Sequence, residues 1–325
     1  MENLRILPYR REHYDQWNDF IGRAKNATFL FHRDFMEYHN DRFTDFSLLA
    51  FNGQKLIAVL PANRVGAEVF SHQGLTYGGL VYGEKIKLTE VIAIFRSLLQ
   101  LLQNEGVAKL HVKLLPQIYH DKPSDDLAYA LFLADAKLAR RDSLAVLDMS
   151  KPYKFSKDRK QCVRRGENNG LEIRKDNDFT AFWNEILVPN LKKKHDVFPV
   201  HSLGEIEKLH RLFPENIRHF NVYHENKLVA GTTVFVTKNV AHPQYISGQE
   251  AKNNLGSLDF LYHYLITDVF KDIRFFDFGI SNESQGRKLN AGLLFWKESF
   301  GTGTVVQDFY EVNTANHNLL ENVLL

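Results

Sequence analysis

The chain has 325 residues, 44% of them hydrophobic and 25% charged, with a formal net charge of +2. This is the composition of a globular protein of about two domains, and the charge is too balanced to mark a nucleic-acid binder from totals. Any electrostatic partner must be met by a local patch. The single cysteine, Cys162, excludes an internal disulfide and any multi-cysteine metal site. The charged opening MENLRILPYRREHYDQW has no apolar core of a signal peptide, and no run of about 18 apolar residues could span a bilayer. A cytoplasmic protein without a metal is expected.

In chain order, Leu4–Leu7 reads as a strand, His13–Ala24 as a helix with Trp17, Phe20 and Ile21 on one side, and Arg33–His39 as a short helix. Phe46–Phe51 and Lys55–Asn63 are apolar runs joined by Asn52-Gly53, the dipeptide of a tight hairpin. Glu68–His72 is a third strand. Next comes GLTYGGLVYG, where Gly74, Gly78, Gly79 and Gly83 alternate with Tyr77 and Tyr82. Leu88–Gln103 is helical with Gly106 as its stop, Lys109–Leu115 is a strand ended by Pro116, Asp125–Ala134 a helix, and Ser143–Met149 a strand.

The second half repeats this order. Phe179–Leu187 and Leu203–Leu212 read as helices, His219–Tyr223 and Lys227–Val236 as a hairpin, Val240–Ser247 as a strand and Ser257–Phe270 as a helix. Aligning NGQKLIAVLP with HENKLVAGTT puts Lys55 on Lys227, Leu56 on Leu228 and Ala58 on Ala230. So long a period implies two copies of one domain, 1–150 and 151–325.

Between them lies KPYKFSKDRKQCVRRGENNG, rich in Lys151, Lys154, Lys157, Arg159, Lys160, Arg164 and Arg165. If Ser156 caps a helix, Lys160 and Arg164 share one face of a basic helix over 154–168. It reads either as a solvated face or as a phosphate site. No phosphate loop, dinucleotide fingerprint, zinc-protease or serine-hydrolase motif occurs. His242 and His263 read as packed or solvated side chains.

The most informative stretch is RFFDFGISNESQGRKLNAGLLFWKESFG, residues 274–301. It reads as a buried strand carrying Asp277, a polar loop with Ser281, Asn282, Glu283, Ser284 and Gln285, and a helix whose apolar residues from Leu289 to Phe300 keep helical spacing from Arg287 onward. Polar loops at strand ends are where open sheets bind ligands. Asn290, Leu294 and Lys297 would line one side of that helix, and Lys297 could equally serve as a last-turn lysine complementing the helix dipole. Upstream, AKNNLGSLDFLYHYL passes from strand to helix at Gly256-Ser257. This is either an ordinary helix start, with Asp259 favouring the helix and opposing an anion, or a backbone phosphate site.

These stretches, with FPENIRHFNVYHENKLVAGTTVF and HVKLLPQIYH, resemble Fem-type acyltransferases, the branch of the GNAT superfamily with two fused GNAT-like domains, and their relatives associated with surface-polysaccharide synthesis. The resemblance covers most of the chain. It implies an α/β (α+β) fold, each half a mixed, mostly antiparallel sheet flanked by helices. The family's aromatic-lysine pair matches Trp296 and Lys297. The superfamily's acyl-CoA loop, Q/R-x-x-G-x-G/A, falls on Asn253, Gly256 and Leu258, of which only Gly256 agrees, and Asn253, Asn254, Gly256 and Ser257 are the candidates for holding the donor.

The resemblance implies an N-acyltransferase carrying an acyl group, acetyl foremost, from acyl-CoA to an amine of a cell-envelope or polysaccharide precursor, such as a nucleotide-linked amino sugar. Alternatives are a tRNA-dependent aminoacyltransferase acting on a peptidoglycan precursor and a catalytically inert GNAT-fold binding protein. For direct transfer a base must take the amine proton and a donor must face the oxyanion. Lys297 is the candidate for oxyanion or phosphate stabilisation, Asp277 or Glu283 for the base, and Tyr245 for the acid. Tyr77, Gly78 and Gly79 are candidates for shaping the acceptor side, with Lys160, Arg164, Arg165, Asn290 and Trp296 as further substrate contacts.

Overall fold

The computed structural model describes residues 3–250 and 252–323. The chain forms two compact units, Met1–Asp142 with Val306–Leu325, and Ser143–Val305. The first holds an antiparallel four-stranded sheet beside a separate mixed set of strands, the second a mixed, mostly antiparallel sheet, with helices flanking them.

In the first unit, Leu4–Pro8, Leu48–Asn52, Lys55–Leu60 and Val81–Tyr82 are antiparallel neighbours in that order. The Asn52-Gly53 turn is as expected: Asn52 pairs with Lys55, and Gly53 takes φ +61°, a left-handed conformation that costs glycine no side-chain clash. Helix Leu88–Asn104 buries Val91, Phe95, Leu98 and Leu102, at spacings of three and four, in one core with Leu110 and Val112 of strand Lys109–Lys113. That strand runs parallel to Glu68–Phe70 and antiparallel to Phe309–Asn313.

In the second unit the strands run Glu172–Asp176, Ile217–His224, Lys227–Val236, Val240–Gly248 and Phe275–Ile280, followed by the chain at Ser143–Asp148. All neighbours are antiparallel except Val240–Gly248 with Phe275–Ile280. Helix Ser257–Tyr264, extended by a π-helical turn over Leu265–Val269, lays Leu261, Tyr262, Leu265 and Ile266 on Phe276 and Phe278. Helix Lys157–Asn168 forms with Ser156 as its cap, the hydroxyl accepting from the Arg159 amide.

Several elements carry no sequence pattern that announces them. Glu172–Asp176, EIRKD, is a charged edge strand, as edges exposed to water usually are. Helix Val188–His195 holds Pro189 and three lysines, and Gly303–Asn313 mixes polar with apolar residues irregularly.

The reading of 281–300 needs correction. The loop is a small hairpin, with Asn282–Glu283 paired to Lys288–Leu289 across left-handed Ser284 and Gln285. The helix begins at Ala291 rather than Arg287, because the Asn290 side chain accepts from the Leu293 amide and caps it. Asn290 is thus a cap and not a member of the face that carries Lys297.

Candidate functional site

Strands Val240–Gly248 and Phe275–Ile280 pair at two rungs only, Val240 with Phe275 and Ala241 with Phe276. Beyond these the two strands continue without pairing to each other, and each is distorted where it leaves. In the first, Pro243 has no amide to donate, and Gln244 is the extra residue of a bulge against Thr233–Val234. In the second, Phe278 and Gly279 face the single residue Ala145, with Gly279 at φ +71°. A β-carbon on Gly279 would stand 3.1 Å from His242 Cε1, so glycine here also makes room for the ring.

The first residues past the last rung are His242 and Asp277. Asp277 is 1% exposed. Its Oδ1 accepts from the Gly279 amide at 2.8 Å, and its Oδ2 lies 3.2 Å from His242 Nδ1, which is also 3.0 Å from the Asp277 carbonyl. Both partners of Nδ1 are acceptors, so Nδ1 carries the hydrogen. In the neutral imidazole Nε2 therefore carries the lone pair, and it has no hydrogen-bond partner among the described residues.

Lys297 is 5% exposed, and its Nζ donates to the carbonyls of Gly279 at 3.0 Å and Ile280 at 2.6 Å. Burial pushes its ammonium down to about 8, partly opposed by the nearby Asp277 carboxylate. The last-turn dipole does not account for this lysine, because the amine is spent on a neighbouring strand rather than on its own helix. Two of the three N–H donors of an ammonium are occupied, leaving one.

Around these strand ends, three buried oxygens have no hydrogen-bond partner among the described residues: Gln244 Oε1, Ser257 Oγ and Ser281 Oγ. Each such group costs about 1–3 kcal/mol unless something satisfies it. Helix Ser257–Tyr264 opens at Gly256 with no side chain capping its first amides. Asp259 does not oppose an anion there, because its carboxylate is paired with Arg159 and accepts from Trp296 Nε1 at 2.8 Å.

Residues 153–288, which contain both strands and this helix start, match the family model described as an acetyltransferase (GNAT) domain. That segment carries an acetyltransferase (GNAT) domain. The fold of the whole chain is similar to that of Fem-like tandem GNAT proteins. It superposes on FemX with a TM-score of 0.65 at 11% identity, over 94% of this chain and 96% of that one. The C-terminal domain of a putative lysylphosphatidylglycerol synthetase from Agrobacterium fabrum gives 0.61 at 12% identity, covering 95% of this chain and 94% of that one. A tandem GNAT protein from the clavulanic acid biosynthesis pathway gives 0.50 at 12% identity, covering 96% and 98%. At these identities the likeness is one of fold. No curated protein matches the sequence.

The fold brings Lys297 and Asp277 together and distributes the other candidates. Glu283 is exposed in the small hairpin and accepts from Asn290 Nδ2 at 3.2 Å. Tyr245 is buried against Trp183, its hydroxyl 3.1 Å from the His201 amide and 2.5 Å from His201 Nδ1. Trp296 packs its ring against Tyr262, Phe278 and Phe300 beside Lys297.

In the loop, Asn253 and Asn254 are exposed, with the Asn253 carbonyl accepting from Arg165 at 2.7 Å. Gly256, at φ +70°, and Ser257 are buried, and a β-carbon on Gly256 would collide with the Cys162 carbonyl of helix Lys157–Asn168. Lys160 and Arg164 are exposed on that helix.

Tyr77, Gly78 and Gly79 lie in the first unit. Tyr77 is buried with its hydroxyl 3.0 Å from Thr28 Oγ1, Gly78 donates its amide to Lys113 and has no room for a side chain against Ser71, and Gly79 sits at φ +91°. The residue that the sequence reading set aside is His242. Its one local signal is an imidazole inside the apolar run Val240–Ala241, directly before Pro243.

Proposed function

We propose that the enzyme transfers an acyl group, acetyl foremost, from acyl-CoA to the amine of a nucleotide-linked amino sugar or similar cell-envelope precursor. The observation that carries this reading is the parting of two parallel strands with a buried, partly occupied lysine amine on its wall. The donor fits the residues present. The uncapped amides at Ser257–Asp259 suit a pyrophosphate, and the unpartnered oxygens of Gln244, Ser257 and Ser281 suit the polar groups of its arm. When bound, the thioester supplies a carbonyl open to attack by an amine. The remaining N–H of Lys297 serves the oxygen of that carbonyl as negative charge develops on it. Exposed Lys157, Lys160 and Arg164 offer cations to the acceptor's phosphates.

The same basic face would suit the backbone of an aminoacyl-tRNA, which keeps the aminoacyltransferase reading as the rival. Calorimetric titration with acetyl-CoA, longer acyl-CoAs and charged tRNA separates them, because a tRNA user loses affinity steeply with salt. Release of CoA thiol and the mass of acylated products are then followed with a panel of nucleotide-linked amino sugars. Lys297→Met is expected to lower kcat by about 10²–10³-fold, as loss of an oxyanion donor does, and Glu283→Gln to leave it within about twofold, since an exposed group outside the site contributes little. Absence of any acyl-CoA binding, or transfer only from tRNA, overturns the acyl-CoA reading. Binding with no transfer to any acceptor favours an inert binding protein.

A further inference from the structure

We infer that His242 is the general base of the transfer, with Asp277 as the positioning residue that holds its ring in the Nδ1–H tautomer. This rests on the acyl-transfer reading above. His242 and Asp277 are the first side chains past the last rung of the parallel pair, so they stand where the two strands begin to separate. Nδ1–H is held by both the carboxylate and the carbonyl of Asp277, and Nε2 is left with an unshared pair and no partner among the described residues. Neutral imidazole fixed in this way accepts a proton at one defined atom.

The other candidates are spent. Both Asp277 oxygens are engaged, one by the Gly279 amide and one by His242, in a side chain almost without exposure. Glu283 faces water with Asn290, the Tyr245 hydroxyl is tied to His201, and Lys297 donates to two carbonyls. The ring of His242 is seated from several sides. Asp277 holds its edge, Gly279 leaves it space, and Phe235 is its neighbour across the antiparallel pair. The carboxylate in contact with it is that of Asp277, which bears in turn on Lys297; the His201 ring, 6.2 Å from Phe235, lies one residue further out.

In the step, the neutral amine nitrogen bonds to the thioester carbonyl carbon, and Nε2 takes the proton that this nitrogen sheds. The carbon–sulfur bond breaks with its electron pair on sulfur, the thiolate takes a proton from water, and His242 returns its proton to solvent. Atoms and charge balance without a further reactant.

The experiment has two arms. The pH dependence of kcat/KM for acetyl transfer from acetyl-CoA, to whichever amine of the panel the wild type acylates, is expected to show an acid limb of slope one. His242→Gln should lose that limb and about 10²–10⁴-fold in kcat, with acetyl-CoA affinity unchanged, and Asp277→Asn should lower kcat less. A wild type that transfers, beside a His242→Gln variant with the same rate and limb, removes His242 from the mechanism and leaves the acyl-transfer reading intact. A wild type that transfers to no amine sinks that reading and the base role with it.

The second arm needs no acceptor. Nitrogen-15 imidazole spectra of the free protein should show His242 as the Nδ1–H tautomer, changing in Asp277→Asn. An Nε2–H tautomer in the wild type overturns the inference whatever the rates.

Discussion

The amine of Lys297 stands 2.6 Å from the carbonyl of Ile280 and 3.0 Å from that of Gly279, at the end of the bulge in that strand. A cation is thereby kept inside the protein by backbone dipoles rather than by water, and its titration reports that state.

Stability should therefore depend on pH through this residue, with a definite sign. The folded chain holds Lys297 at about 8 against an ordinary 10.5. Below about 8 both states carry the proton and the burial penalty is fully present. Between about 8 and 10.5 the unfolded chain binds a proton that the folded chain does not, so stability rises with pH. Urea midpoints of wild type and Lys297→Met, compared from pH 7.5 to 10, should show the wild type gaining on the variant across that window. A constant difference would contradict a buried amine.

His219 gives the acid-side counterpart. It is wholly buried beside Phe179 and Phe182, between Thr233 Oγ1 and Asn221 Oδ1, and burial pushes it down to about 4. Between about 4 and the ordinary 6.5 the unfolded chain binds the extra proton, so stability falls as pH falls through this range. His219→Gln should flatten that part of the curve while lowering stability at pH 7, checked by thermal unfolding at half-unit intervals.

Gly256 meets two constraints at once, a left-handed backbone and the Cys162 carbonyl against its α-carbon. Gly256→Ala should destabilise by at least about 2 kcal/mol, the sum of a left-handed penalty and overpacking between two helices. Gly170→Ala is the control: it is also left-handed, at φ +63°, but has open space around it. It should cost only the backbone part, near 1 kcal/mol. Equal losses in denaturant titrations would remove the packing argument.

Arg159 and Asp259 form a buried pair in which Ser299 also accepts from the guanidinium, and the indole of Trp296 donates to the same carboxylate oxygen. Breaking one side strands a charge, so Arg159→Met should cost about 3–5 kcal/mol, while Arg159→Met with Asp259→Leu should recover much of it. Because Trp296 precedes Lys297, the double variant should still lose transfer activity through a displaced amine. Full activity in a refolded double variant would show that the pair serves stability alone.

How much of this was open to reading depends on the range of the interaction involved. The Asn52-Gly53 hairpin, the Ser156 cap, the Gly106 stop and the strand at Phe275–Ile280 are decided by residues within a few positions of one another, and local chemistry expressed them in the sequence. The helix that carries Lys297 starts later than its spacing predicts because a helical spacing and a capping asparagine compete within six residues, and Asn290 prevails by satisfying the Leu293 amide.

By itself the amino-acid order determined most of the strands and helices, though not Glu172–Asp176, Val188–His195 or Gly303–Asn313, together with the doubling of one hairpin along the chain and the lysine that follows a tryptophan near the end of a late helix. Only tertiary structure decided that His242 meets Asp277, thirty-five positions along, and that Lys297 turns from its own helix to Gly279 and Ile280. The physical reason is that a parallel ladder joins strands separated by an intervening helix. Its register, its last rung and its bulges are set by packing across that distance, and no spacing along the chain records them.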